Sequence, residues 1–268
     1  MNPIKPLSTH WEDVYHANLM QAFLADDMEL KNHAFQLPAL RHQEERSISN
    51  PVRGFRNEFS AVMADWILDG KVQISDAMLA LNPNAAKFAT ILDHEKYGYH
   101  VTAYGPRIKG QVEHVLAELR RDPNSRRADI MMLAASDQLV AAAMAAGDTK
   151  CEYLCTYGFN FRLRGGALDM SVSMRSNNYT TTVCQDVYVF ARLQSHIAEL
   201  LGVPVGAYYH HTISGHIIEG EAERAVEILR TYCVAYADAH GPVAWTEANG
   251  WQTALKQFTQ KCYRLGVE

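Results

Sequence analysis

Cys155 lies twenty residues before Arg175-Ser176, and Asp186 follows eleven residues after that arginine. A thiolate is the strongest carbon nucleophile among side chains, and a neighbouring cation lowers its pKa into the useful range. An arginine fork next to a hydroxyl suits an oxyanion such as phosphate. An aspartate accepts hydrogen bonds when ionised and can donate one when protonated. Nucleophile, anion clamp and hydrogen-bonding reader thus fall within the 32 residues from Cys155 to Asp186. Each has a plainer alternative: an inert buried cysteine, a surface arginine, and an N-cap that merely opens a helix.

Other candidates lie outside that stretch. Glu58 falls on an apolar stripe of Phe55, Phe59, Val62, Met63, Trp66 and Ile67 at helical spacing. Desolvation on such a stripe raises a carboxyl pKa and suits it to general acid–base catalysis; the alternative is a stripe-edge glutamate that reaches water. In Asp122-Pro123-Asn124-Ser125-Arg126-Arg127, aspartate and proline break a helix and two arginines enter a strand. Adjacent strand residues face opposite sides, so at least one can meet an anion; the alternative is a solvated turn. His216, after Ser214-Gly215, is a polar residue near a strand end, or simply a hydrogen-bonded surface histidine.

The elements that must position these groups follow from periodicity. A helix is expected over 14–31, then an irregular, charged segment over 35–54. The Glu58 helix stops at Gly70, and a second helix through Val112, Val115, Leu116 and Leu119 stops before Asp122. A short strand over 130–133 and an Ala-rich helix over 138–146 come next. Alternation over 157–163 and 168–174 around Arg164-Gly165-Gly166 predicts a hairpin with one buried face. A long helix through Phe190 and Leu201 ends at Gly202 and Pro204; a strand over 206–212 and a last helix through Ala225 and Tyr232 complete the pattern. Strands and helices mix without a βαβ rhythm, which predicts an α+β fold, with residues 1–268 as a single domain.

Composition narrows the classes. Apolar residues make up 48% and charged residues 21%, ordinary for a globular protein, and a net charge of -5 gives no support for nucleic-acid or membrane-surface binding. No apolar run approaches the ~20 residues that span a bilayer, and the first residues lack a secretory pattern. The five cysteines are odd in number and lack zinc spacing. Free thiols in a reducing cytoplasm are expected, with no metal site, and Cys151, Cys184, Cys233 and Cys262 read as inert.

Taken together, Glu58, Tyr104-Gly105, the DPNSRR segment at 122–127 and Cys-x19-Arg-Ser resemble the thymidylate synthase superfamily in the family's own order, over residues 50–220. The resemblance implies a large twisted mixed sheet with flanking helices, the sheet forming a homodimer interface. It implies Cys155 as nucleophile, Glu58 as catalytic glutamate, and Arg175 and Ser176 as phosphate ligands. Arg126 and Arg127 would reach the phosphate in the other subunit. Asn177 and His216 fall on the nucleotide side, and Tyr104 and Asn178 on the folate side. A further phosphate arginine would be Arg41, Arg46 or Arg53. Asp186 occupies the base-reading position, where thymidylate synthases carry asparagine and the deoxycytidylate hydroxymethylases of phages carry aspartate; Met174-Arg175-Ser176-Asn177 is similar to theirs. The implied activity is C5 hydroxymethylation of dCMP with 5,10-methylenetetrahydrofolate through a Cys155 adduct at C6. A dCMP methyltransferase, a CMP hydroxymethylase, a folate-independent enzyme and a non-catalytic nucleotide-binding protein are the other readings. Asn178 replaces the family's pterin-binding aspartate, Thr182 its glycine, and His216-Ile217-Ile218 its His-x-Tyr. The nucleotide half therefore matches better than the folate half.

Overall fold

The computed structural model describes residues 4–52, 56–89, 103–147, 153–241, 246 and 249–267. Phe55, Arg53 and Cys151 lie outside the described residues. Five strands form one sheet in the order β1-β5-β4-β3-β2. They are β1 (Glu29–Leu37), β2 (Asp129–Met131), β3 (Thr156–Arg164), β4 (Ala167–Asn178) and β5 (Val205–His216). β4 and β5 run parallel, and the other pairs are antiparallel. The architecture is α+β, as the irregular mixing of strands and helices predicts, with the mixed sheet that the resemblance implies.

The hairpin β3–β4 forms where expected, and Gly165 and Gly166 turn it with φ of 56° and 81°. Leu168, Met170, Val172 and Met174 are buried, while Ser173 between them is exposed. The ladder slips by one residue between Thr156 and Gly158, so Tyr157 is an extra residue in β3. Such bulges re-aim the chain at sheet edges and beside sites. Here Thr156 and Phe159 both come to the buried side although their separation is odd.

Helices cover the buried face. They are α1 (Trp11–Leu24), α2 (Gln43–Arg46), α3 (Asn57–Leu68), α4 (Asp76–Leu81), α5 (Tyr104–Arg121), α6 (Gln138–Ala145), α7 (Thr182–Leu201), α8 (Ala222–His240) and α9 (Trp251–Leu265). α7 is the crossover that joins the parallel pair β4 and β5. It packs on β4 and against α3 and α5. Its Phe190 meets Phe159 of β3 edge to face at 4.9 Å, a geometry worth about 0.5–1.5 kcal/mol beyond burial. α7 ends at Gly202, whose φ of 70° is left-handed and costs glycine nothing. At Gly105 a Cβ would stand 2.8 Å from the Ile67 carbonyl oxygen, so α3 and α5 can approach closely only with glycine there.

Three elements differ from expectation. The first helix stops at Leu24, not near residue 31, because Asp26-Asp27 breaks it; residues 29–37 then pair along β5 as an edge strand, with Met28 and Asn32 at positive φ. Among the described residues of the segment expected to be irregular, 35–37 belong to β1 and 43–46 are helical. α9 has no counterpart among the expected elements, although Trp251, Ala254, Phe258 and Cys262 bury one face of it at helical spacing. The core runs continuously from Ile4 to Cys262. Among the described residues, no helix is long and apolar enough to cross a membrane.

Candidate active site

Cys155 directly precedes β3, and the bulge at Tyr157 sets the strand end beside Arg175 of β4. The Arg175 backbone N–H donates to the Cys155 carbonyl at 2.8 Å. The Arg175 guanidinium stands 3.5 Å from Cys155 Sγ and donates to the carbonyls of Leu154 at 3.0 Å and Tyr153 at 3.2 Å. It also lies over the Tyr153 ring, 4.9 Å from the centroid. The cation that a thiolate requires is therefore fixed at the sulfur. Cys155 is half-buried, whereas Cys184 and Cys262 are buried in the core.

Cys155 opens on a cavity of about 710 Å³, counted with the space at its mouth. α7 supplies Asp186, Gln185 and Thr182 to its wall, α5 supplies Tyr104, and α3 supplies Met63 and Ile67. Asp186 is partly accessible, and its surroundings are apolar: Phe190 and Val189 from its own helix, Met174 from β4. Burial pushes its carboxyl pKa up to about 7, and a hydrogen bond from Asn177 pulls the other way. α7 begins at Thr182 with Thr181 in the cap position, so Asp186 is past the first turn and does not cap the helix. Among the described residues lining the cavity, Asp186 is the one carboxyl. Tyr104 donates to or accepts from Thr156 Oγ1 at 3.1 Å, and burial, with Asp186 and Cys155 nearby, raises its phenol pKa.

Glu58 is elsewhere. It sits in the first turn of α3 and is exposed, so the desolvation expected for it is absent. At 3.6 residues per turn it points about 140° from Met63 and about 180° from Ile67, the α3 residues that line the cavity. The stripe spacing holds, but Glu58 stands off its buried edge.

Arg126 and Arg127 are both exposed at the start of β2. Arg127 pairs with Glu118 at 2.9 Å; Arg121, Ser125 and Arg127 around that carboxylate pull its pKa down to about 2. Ala128 accepts from the Phe161 N–H at 2.9 Å, so this segment lies beside β3 past its middle, six residues from Cys155, roughly 20 Å away at about 3.3 Å per residue. Ser176 is half-buried and paired with Ser214 in the ladder. Arg46 is buried and donates to the Leu40 and Arg41 carbonyls and to Ser195 Oγ, which makes it a structural strut, while Arg41 is exposed.

Asn177, Asn178 and His216 do not line the cavity. The Asn178 amide donates to Glu221 at 2.9 Å, and its oxygen accepts from the Thr180 N–H and hydroxyl. It organises the turn before α7, which departs from a pterin-binding role. His216 ends β5 with Nδ1 near its own strand neighbour Ser214, 3.2 Å from the hydroxyl. Asn177 is buried, and its amide faces His210 and Thr182. Sequence reasoning missed His210, whose position in an alternating strand marks it as inward-facing but does not reveal its partner.

Residues 20–238 match the family model described as thymidylate synthase. The chain belongs to the thymidylate synthase family. It is 26% identical over 204 residues to the deoxyuridylate hydroxymethyltransferase of Bacillus phage SP01, covering 69% of this chain and 50% of that protein. It is 29% identical over 125 residues to the thymidylate synthase of Bacillus licheniformis, covering 45% and 42%. The matches thus span about half the length of these two relatives. Its fold resembles the crystal structure of thymidylate synthase from T4 phage, with a TM-score of 0.55 and 19% identity over 83% of this chain and 81% of that one.

Proposed function

We propose that this family member transfers a one-carbon unit to C5 of a pyrimidine nucleotide, converting dCMP to 5-hydroxymethyl-dCMP. The observation that carries the reading is Asp186 on the same cavity wall as Cys155, in surroundings that keep its carboxyl partly protonated at neutral pH. Cytosine offers a 4-amino donor and a bare N3. A protonated Asp186 accepts from the amino group and donates to N3. When the Cys155 thiolate bonds to C6, the ring's electron pair moves onto N3, and the Asp186 proton follows it. C5 is then nucleophilic. Arg175, held at the sulfur, stabilises the thiolate before attack and again when Cys155 leaves.

The apolar wall of Ile67, Phe88 and Phe190 suits a flat ring, and a methylenetetrahydrofolate seated against it would supply a carbon at the formaldehyde level. Asn178 takes no part, since Glu221 and Thr180 hold its amide. Water as the final nucleophile gives hydroxymethyl. The SP01 relative, named for hydroxymethyl transfer to deoxyuridylate, supports that outcome, and Asp186 motivates the change of base. Arg126 and Arg127, distant from Cys155 in their own chain, would serve the phosphate of a second subunit docked on the uncovered sheet face, where Met131, Tyr209 and Ile213 are exposed.

Mass spectrometry of products from dCMP, CMP and dUMP, each with and without methylenetetrahydrofolate, tests the reading. A hydroxymethyl gain on dCMP with folate is expected; no gain on any of the three sinks it. The position of Asn178 favours a second reading, in which thiol–pyrimidine chemistry proceeds without folate. That reading predicts exchange of the dCMP C5 hydrogen in deuterated water and no product when folate is added.

A further inference from the structure

Gln185 directly precedes Asp186 on α7, and both line the cavity on which Cys155 opens. The proposed chemistry gives Gln185 no task. Its side chain is buried, and its Oε1 has no hydrogen-bond partner. Its Nε2 donates to Met63 Sδ of α3, another group of the cavity wall. The rest of that wall offers the oxygen little. Ile67, Val189 and Phe190 are apolar. The hydroxyls of Thr182 and Tyr104 are engaged, with Asn177 Oδ1 at 3.0 Å and Thr156 Oγ1 at 3.1 Å.

The contacts fix which end of the amide is free. A thioether sulfur carries no hydrogen and accepts only weakly. The amide nitrogen is therefore the end that faces Met63, and the oxygen is the end left over. A buried acceptor without a donor is costly, and folded chains keep few of them. A donor brought by the substrate removes that cost. Cytosine brings one. Its 4-amino group has two N–H bonds, and Asp186 takes the one beside N3. The other points toward C5. Two acceptors that share one amino nitrogen stand about 5 Å apart, each about 2.9 Å from it. Consecutive Cα atoms are about 3.8 Å apart, so adjacent residues that line one cavity can meet that spacing.

We propose that Gln185 is a second base-reading residue: its Oε1 accepts the amino N–H that Asp186 leaves free. The inference rests on dCMP as the substrate and on Asp186 as the carboxyl that meets the base. Cytosine then satisfies an acceptor that the fold alone leaves bare. Uracil presents an oxygen at the same place, and two facing acceptors repel. Turning the amide over would offer Nε2 to uracil. It would also set the carbonyl oxygen against the Met63 sulfur, where neither atom has a hydrogen to share. Discrimination thus has two sources on one turn of α7, Asp186 at N3 and Gln185 at the far N–H.

The test follows dCMP labelled with ¹⁵N at its amino group, bound to the full chain without folate. Both amino protons are expected to move downfield from their positions in free dCMP. In Gln185→Met, which nearly keeps the volume and loses the acceptor, one proton should return to its free position while the other stays on Asp186. The variant should bind dCMP roughly tenfold more weakly, as one hydrogen bond is lost, and dUMP no more weakly than the parent does. A purely structural glutamine would weaken both nucleotides alike and leave both protons displaced; that result overturns the proposal. Should Gln185→Met fail to fold, Gln185→Leu carries the same expectations. The parent spectrum also decides by itself, since one displaced amino proton in place of two overturns the proposal without any variant. Where the parent binds dCMP and these readings fail, this inference alone falls. Where the parent binds no dCMP, the substrate reading falls and takes this inference with it.

Discussion

At the scale of the residue, the proposed chemistry turns on two groups. Cys155→Ala removes the nucleophile and should lower turnover by at least roughly 10³-fold, while equilibrium binding of dCMP stays near the parent value; retained turnover would sink the covalent route. Asp186→Asn should move base preference from dCMP toward dUMP, read as the ratio of kcat/KM. The same carboxyl predicts a pH dependence of stability. Its folded pKa of about 7 lies above the ordinary 3.8, so the folded state holds this proton more tightly. The contribution is fully present below pH 3.8, falls as pH rises, and is gone above about 7. Relative to Asp186→Asn, the parent should lose up to about 4 kcal/mol over that window at about 1.4 kcal/mol per unit, seen as a gap in Tm that widens with pH. A constant gap would mean that the carboxyl is not buried against the apolar wall.

At the scale of the element, α3 shows what the sequence could and could not reveal. The apolar spacing located the helix, its stop and its buried face. It did not place Glu58, because a stripe is broad and one residue at the first turn can fall on either side of its edge. Glu58→Gln should therefore keep activity within a few-fold; a loss of roughly 100-fold, the scale of a missing general acid or base, would show that the glutamate reaches the reaction. The hairpin, the crossover helix and the nucleophile–arginine contact were legible, since local alternation and pairing determine them. The edge strand β1 was not, because its partner β5 lies far along the chain and its own positive-φ residues break the alternation. The roles of Asn177 and Asn178 were equally hidden: they are adjacent in sequence, yet one faces the His210 side and the other the turn before α7. At Gly105 the close approach of α3 and α5 makes a direct prediction. Gly105→Ala should destabilise by about 1–3 kcal/mol, measured by denaturant unfolding, and it would spread the cavity wall that Tyr104 and Ile67 share.

At the scale of the molecule, the proposed function needs a second subunit on the sheet face where Met131, Tyr209 and Ile213 are exposed, with its Arg126 and Arg127 at the nucleotide phosphate. Mixing inactive Cys155→Ala chains with inactive chains carrying Arg126→Ala and Arg127→Ala should restore activity, because one mixed site then has both a thiol and its arginines. No recovery in mixtures shown to exchange subunits would place the arginines outside the reaction. The crossover α7 has one more consequence. It links the two parallel strands at the centre of the sheet, and it also carries Asp186. Because the acid sits on the element that ties β4 to β5, we expect its surroundings to open together with the centre of the sheet. Amide hydrogen exchange from the N–H groups of α7 beyond its first turn, Asp186 onward, should therefore track that of β4 and β5. In such a protein the reading of the base would be as durable as the fold itself.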